Sequence, residues 1–240
     1  MRKMFACCHS VKSLNVSKFD TSKVTDTSYL FYHCYELNAL DVQNFNTSNV
    51  QNMEYMFAGC INISFLSATN FNTEKVTNMR YMYSYCKNLK VLNLSTFKTN
   101  LVKYMEGMFQ HCESLTILNI KFFCTQNVQN TSYMFDSCIN LENLQFNTTI
   151  EDNFYYSDDE DNNIDTTETN CHYFSTRKIK NMKYMFNNCL SLKNLDLSNI
   201  NTYNVMDASR MFGHCENLTV LNLDSFQTPN LLNSSGMFES

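Results

Sequence analysis

The stretch FNTSNVQNMEYMFAGC, from Phe45 to Cys60, contains most of the pattern that decides the fold. The cysteine that ends it recurs at intervals of 26 residues along the chain. The in-phase cysteines are Cys8, Cys34, Cys60, Cys86, Cys112, Cys138, Cys189 and Cys215. A longer gap of 51 residues separates the sixth from the seventh and indicates an insertion within one repeat. Self-similarity at such a period predicts a stack of repeated units, here eight.

Each unit predicts one short strand and one short helix. The segment after the cysteine reads L-x-x-L-x-L, as in Leu89, Leu92 and Leu94, and the alternation of its last two leucines is typical of a strand. A threonine then stands thirteen residues before the next cysteine, where its hydroxyl is suited to cap a helix. Val, Met, Met and an aromatic residue follow at spacings of three or four, which indicates a helix. Pro229, directly after Thr228, fits the first helical position.

Two phrases carry a resemblance to a known family: the one quoted above, and NLKVLNLSTF from Asn88 to Phe97. They resemble the BspA-like leucine-rich repeat surface proteins, in their 26-residue bacterial-surface form. The expected fold is therefore an α/β repeat solenoid, leucine-rich-repeat-like, with a parallel sheet on one side and helices on the other. Phenylalanine stands where the commoner consensus has a buried asparagine, so we expect an aromatic spine. The resemblance implies an extracellular protein, displayed on a surface and used in adhesion or partner binding.

Three segments follow from the repeat. Residues 1–146 form the first part of the solenoid, residues 147–173 an insertion that we expect to be flexible, and residues 174–240 the continued solenoid. Both ends of the sequence cut into a repeat, so we expect an uncapped, truncated solenoid, or end-to-end self-association.

Composition narrows the range of partners. The net charge of −5 disfavours nucleic acid and anionic lipid, which require clustered Lys and Arg. The sequence has no run of about 18 apolar residues, and we expect no membrane insertion of this segment. It has none of the usual cofactor motifs, so no cofactor is expected.

The cysteines and histidines invite a chemical interpretation that the repeat disfavours. Cysteines stacked one per unit form a line, whereas zinc requires four converging ligands, so we expect a buried thiol column and no metal. Cys7, Cys124 and Cys171 are out of phase and are better candidates for pairing. His33, His111 and His214 each precede an in-phase cysteine, but neighbouring side chains point apart, so catalysis is not expected.

The insertion holds eight acidic residues and neither Lys nor Arg. The candidate functional carboxylates within it are Asp158, Asp159, Glu160, Asp161 and Asp165. A solvated loop is the favoured interpretation. Weak calcium binding stays open, although Ile164 replaces the glycine of a calcium loop and Asn170 its final glutamate.

The strand face carries the candidate binding surface. The fifth position after the cysteine holds Phe65, Val91 and Ile117 on three successive units. Around them stand the polar residues Ser67, Asn93, Asn119 and Lys121. Such an apolar patch with a polar rim is typical of interaction sites, although apolar residues also simply favour strand structure.

These observations predict a non-enzymatic module that binds a protein or a host or cell-surface ligand. The family resemblance implies a location at the cell surface or outside the cell. An intracellular structural scaffold of the same fold is the alternative, because a thiol column suits a reducing compartment.

Overall fold

The computed structural model describes residues 1–146, 174, 176–198 and 200–240. Within these ranges one short strand follows each in-phase cysteine. The strands are β1 (Ser13–Leu14), β2 (Ala39–Leu40), β3 (Phe65–Ser67), β4 (Val91–Asn93), β5 (Ile117–Asn119), β6 (Asn143–Gln145), β7 (Asn194–Asp196) and β8 (Val220–Asn222). We call one 26-residue unit of the stack a rung.

The strands pair in parallel, with equivalent residues of successive rungs opposite each other. In β3 and β4, for example, Phe65 lies opposite Val91 and Leu66 opposite Leu92. Among the described residues the strands form four two-stranded sheets, β1 with β2, β3 with β4, β5 with β6 and β7 with β8. This side of the solenoid is therefore a series of parallel strand pairs, with one short strand per rung.

The predicted helix is absent from every rung that the structure describes; overlapping turns take its place. The amide of Met56 donates to the carbonyl of Met53, three residues back, whereas the amide of Phe57 donates to the carbonyl of Met82 in the next rung. The two kinds of bond alternate along the segment. Positive backbone φ angles recur every four residues, at Tyr55 (53°) and Gly59 (76°), and break any helix. The prediction of one short helix per rung was wrong.

Rung spacing explains why turns replace the helix. The stacked rings of Tyr29 and Tyr55 are 4.8 Å apart, and those of Tyr55 and Tyr81 are 4.7 Å apart. Parallel strands are separated by the same distance, whereas packed helices need about 8–10 Å. A flat ribbon of turns keeps both sides of the stack at one spacing, and its amides bond directly to the next rung.

The threonine column joins rungs and does not cap helices. Thr73 Oγ1 donates to the carbonyl of Lys98 (2.8 Å) and accepts from the amide of the same residue (2.8 Å). The bond to the next rung's carbonyl is made by Thr21, Thr47, Thr73, Thr99, Thr176 and Thr202. Pro229 likewise lies in a turn, closed by the amide of Leu231 and the carbonyl of Thr228. The capping prediction was therefore wrong, and each hydroxyl satisfies two backbone groups of its neighbour.

The core contains two columns of stacked aromatic rings. One consists of the aromatic residues three positions before each in-phase cysteine, and in it Phe57 stacks on Tyr83 at 5.6 Å. The other consists of Phe71, Phe97 and Phe123, which follow β3, β4 and β5 and stack at 6.4 Å. The methionines, valines and strand leucines fill the space between the columns. The expected aromatic spine is present, and a second one accompanies it.

The stack stays in register on the two sides of residues 147–173. Asn130 forms a parallel bridge with Asn181, and Phe135 stacks on Phe186 at 5.4 Å. The same column of bridges runs from Asp26 to Asn233 on the side opposite the strands. The rungs that contain Asn130 and Asn181 therefore pack as neighbours.

Candidate binding surface on the strand face

The three apolar side chains predicted to form a patch project from adjacent strands. Phe65, Val91 and Ile117 are 61%, 56% and 57% exposed, whereas the leucine that follows each of them is buried. The alternation of side chains along a strand explains this contrast. The structure thus brings the three residues together as a stripe across β3, β4 and β5.

A groove lies between β4 and β5, where the stripe crosses from one two-stranded sheet to the next. Its volume is about 360 Å³. Val91 and Ile117 contribute to its lining together with Leu92 and Leu94, two buried core residues. Separation of the two sheets therefore opens apolar surface in the middle of the predicted patch.

The polar rim has a structural role that the sequence did not reveal. Asn93 Oδ1 accepts the amide of Ser95 (3.0 Å), and Asn119 Oδ1 accepts the amide of Lys121 (3.0 Å). Ser67 Oγ contacts Thr69 Oγ1 at 3.3 Å. These bonds end each strand within its own rung.

Two exposed apolar residues on this side were missed in the sequence. Val220, in the same column as Ile117, is 56% exposed but lies three rungs beyond the patch. Phe122, next to Lys121, is also exposed. Alignment on the cysteines places Val220 in this column, so the signal was present in the repeat itself.

The in-phase cysteines form the expected column of thiols, and its geometry opposes nucleophilic chemistry. Cys34 Sγ donates to the carbonyl of Phe5 (3.1 Å) and does not pair with the adjacent His33. His33 Nδ1 instead lies 3.1 Å from Tyr35 Oη. Burial raises the pKa of the Cys34 thiol to about 11 and that of Cys86 to about 12, so both thiols stay protonated near neutral pH.

The remaining predictions from the sequence concern metal binding, the out-of-phase cysteines, the insertion and membrane spans. Within the described ranges, His, Cys, Asp and Glu do not form a group of three or more that could hold a metal ion. Cys7 is free and exposed, whereas Cys124 is disulfide-bonded. The insertion residues Asp158, Asp159, Glu160, Asp161 and Asp165 lie outside the described residues, as does Cys171. In the part of the chain that the structure describes, no helix is long and apolar enough to cross a membrane.

A stack of 26-residue rungs, each with a short parallel strand, defines a repeat solenoid of the leucine-rich type. The chain belongs to the family described as "Mycoplasma protein of unknown function, DUF285", which matches residues 1–90, 62–158 and 155–240. The match confirms the resemblance to BspA-like leucine-rich repeat proteins. Among curated proteins, no sequence matches the chain significantly.

Solved structures with a similar arrangement include three bacterial leucine-rich repeat proteins. The one from Bacteroides ovatus is 18% identical, with 100% of this chain and 67% of that chain covered and a TM-score of 0.38. The protein from T. pallidum is 15% identical, with 88% of this chain and 67% of that chain covered and a TM-score of 0.41. The protein from Eubacterium ventriosum is 16% identical, with 90% of this chain and 62% of that chain covered and a TM-score of 0.41. This chain spans about two thirds of the length of the three proteins. Scores of this size carry no weight for function.

Proposed function

We propose that this protein is a non-enzymatic recognition module that binds a protein ligand through the strand face. The observation that carries the proposal is the exposed stripe of Phe65, Val91 and Ile117 on three adjacent strands. Large apolar side chains in such a stripe remain in contact with water unless a partner covers them. The thiols from Cys34 to Cys215 in the column donate to backbone carbonyls, and His33 contacts Tyr35, which supports a binding role over a catalytic one.

The proposed location is the cell surface, as the family resemblance implies. An intracellular scaffold is the second candidate, because nine cysteines of the described residues are free. The disulfide-bonded Cys124 favours the surface location, since disulfides persist in oxidising compartments. Protease treatment of intact cells of the source organism distinguishes the two: the protein is degraded if it is displayed on the surface and protected if it is inside.

The binding role is tested with a triple variant, Phe65→Asn, Val91→Asn and Ile117→Asn. We expect this variant to lose at least tenfold in affinity for a ligand isolated with the wild-type protein, because the apolar contact area is removed. Its thermal stability should be nearly unchanged, because the three side chains are exposed.

Val220→Asn provides the matched control, since Val220 has the same column and exposure but lies outside the patch. It should bind as the wild type does. Unchanged affinity of the triple variant, with a normal melting temperature, would overturn the proposal.

A further inference from the structure

The groove between β4 and β5 offers a ligand two kinds of contact. Its walls include Val91 and Ile117, and its lining reaches the buried Leu92. The two strands that border it are three residues long. At about 3.3 Å per residue they provide a groove roughly 10 Å long, which matches an extended segment of three residues.

The polar groups beside the groove mainly donate hydrogen bonds. The side-chain oxygens of Asn93 and Asn119 each accept a backbone amide of their own rung, and their NH₂ groups can donate to a ligand. Lys90 lines the groove, and Lys121 follows two residues after Asn119; both are exposed. The residues that line the groove include one cation and no carboxylate. Oxygen acceptors with negative charge complement such a surface.

We infer that the ligand is an extended peptide segment in which aliphatic side chains alternate with Asp or Glu. This inference rests on the proposed function and specifies its partner. An aliphatic side chain enters between Val91 and Ile117, and the flanking carboxylates accept from Lys90 and Lys121. Successive side chains of an extended peptide point to opposite faces, so the aliphatic groups face the groove, and the exposed Lys90 and Lys121 side chains extend past the peptide backbone to its carboxylates.

A sulfated polysaccharide would also satisfy the donors, but it has no aliphatic group for the apolar walls. The two kinds of ligand therefore differ in their need for aliphatic side chains, and the experiment makes this difference visible.

The test uses fluorescence anisotropy with the complete chain and a labelled twelve-residue peptide of alternating Glu and Leu. We expect saturable binding that weakens as salt is raised, because exposed charge pairs are screened. A Lys-Leu peptide and a Glu-Ser peptide of the same length should each bind at least tenfold more weakly. The first lacks the carboxylates, and the second lacks the aliphatic groups.

Charge reversal at the groove gives the site-specific readout. Lys90→Glu and Lys121→Glu should each weaken binding of the Glu-Leu peptide by about threefold to fivefold, the upper part of the range expected for exposed ion pairs. Lys12→Glu is the matched control, because Lys12 is exposed in the same column as Lys90 but lies three rungs away. It should leave the affinity within twofold of the wild-type value.

Three outcomes overturn the inference: equal binding of the Lys-Leu peptide, equal binding of the Glu-Ser peptide, or equal effects of the Lys90 and Lys12 variants. Equal binding of the Glu-Ser peptide would point to a purely anionic ligand such as a sulfated polysaccharide. If the Glu-Leu peptide does not bind while the triple Asn variant still loses its isolated ligand, the inference fails and the proposed function stands. If the triple variant keeps that ligand, the proposed function itself fails.

Discussion

The thiol of Cys86 donates a hydrogen bond of 3.2 Å to the carbonyl oxygen of Phe57 in the preceding rung. The equivalent bond is made by the other cysteines of the column, namely Cys34, Cys60, Cys112, Cys138, Cys189 and Cys215. Each thiol thus satisfies a carbonyl beside the stacked aromatic rings. The cysteines contribute to the fold both as small apolar residues and as donors between rungs.

Alkaline pH should destabilise the protein. Burial raises the pKa of Cys86 from an ordinary 9.0 to about 12. As pH rises, the unfolded chain therefore loses its thiol protons first. The stabilisation is complete below about pH 9 and falls as the pH approaches the folded-state pKa, by about 1.4 kcal/mol per pH unit for each such thiol. Urea unfolding between pH 8 and 11 measures this slope.

Cys86→Ser is the control for this effect, because serine keeps a donor and does not titrate in this range. Its unfolding free energy should fall less steeply with pH than that of the wild type. Identical slopes would show that the Cys86 thiol does not have a raised pKa.

Removing a threonine hydroxyl should weaken the contact between two rungs. Thr73→Val keeps the shape of the side chain but leaves the amide and the carbonyl of Lys98 without their partner. We expect a loss of about 2–3 kcal/mol in the free energy of unfolding, measured with urea. Thr73→Ser keeps the hydroxyl and should lose about 1 kcal/mol or less. Equal losses in the two variants would contradict the role of the hydroxyl.

Removing the hydroxyl of Tyr83 should stabilise the protein. This residue is fully buried in a column otherwise made of phenylalanines, and its Oη is without a hydrogen-bond partner in the described part of the chain. Tyr83→Phe should gain about 1 kcal/mol, seen as a higher melting temperature. Phe57→Tyr, one rung away, should lose a similar amount. A lower melting temperature for Tyr83→Phe would show that the hydroxyl is satisfied.

Glycine and alanine at Tyr55 distinguish turns from a helix. Tyr55 has a φ of 53°, a region that glycine adopts without strain. Tyr55→Gly should therefore be more stable than Tyr55→Ala by about 1 kcal/mol, whereas in a helix alanine would be better by about the same amount. At the neighbouring Glu54, glycine should be the worse of the two. Thermal unfolding of the four variants checks the order, and a better alanine at Tyr55 would favour the helix.

The sequence predicted well which side chains are buried, because equivalent positions of the 26-residue repeat have the same burial in successive rungs. Aligning the chain on the cysteines placed Leu66 and Leu92 in the core and Phe65 and Val91 on the surface, and the structure has them there. That part of the fold depends on which side chains are apolar, and the sequence shows this directly.

The helix prediction failed because the spacing of apolar residues along the sequence does not by itself determine the backbone conformation. Val50, Met53 and Met56 are three residues apart, and overlapping turns bury this pattern as well as a helix does. The column of Tyr55 holds glycine in two rungs, at Gly107 and Gly236, and this was a signal, since glycine favours positive φ. The turns also depend on bonds to the next rung, and such bonds form only once the rungs are stacked.

The binding surface could be predicted only in part. Exposure of Ile117 follows from alternation along the strand, but the separation of β4 from β5 is a property of the whole stack. The hydrogen bonds that the side-chain oxygens of Asn93 and Asn119 accept could not be predicted either, because the sequence does not show which atoms of a polar residue are hydrogen-bonded.

The bridge between Asn130 and Asn181 has a consequence for how such proteins change. The two rungs it joins pack as closely as rungs that are consecutive in sequence, so the solenoid tolerates extra chain at this position without a shift in its stacking. Evolution can therefore lengthen, shorten or exchange the segment between them while the scaffold stays the same. For protein engineering, the same position is a natural graft point, where a foreign loop could be inserted without redesign of the core.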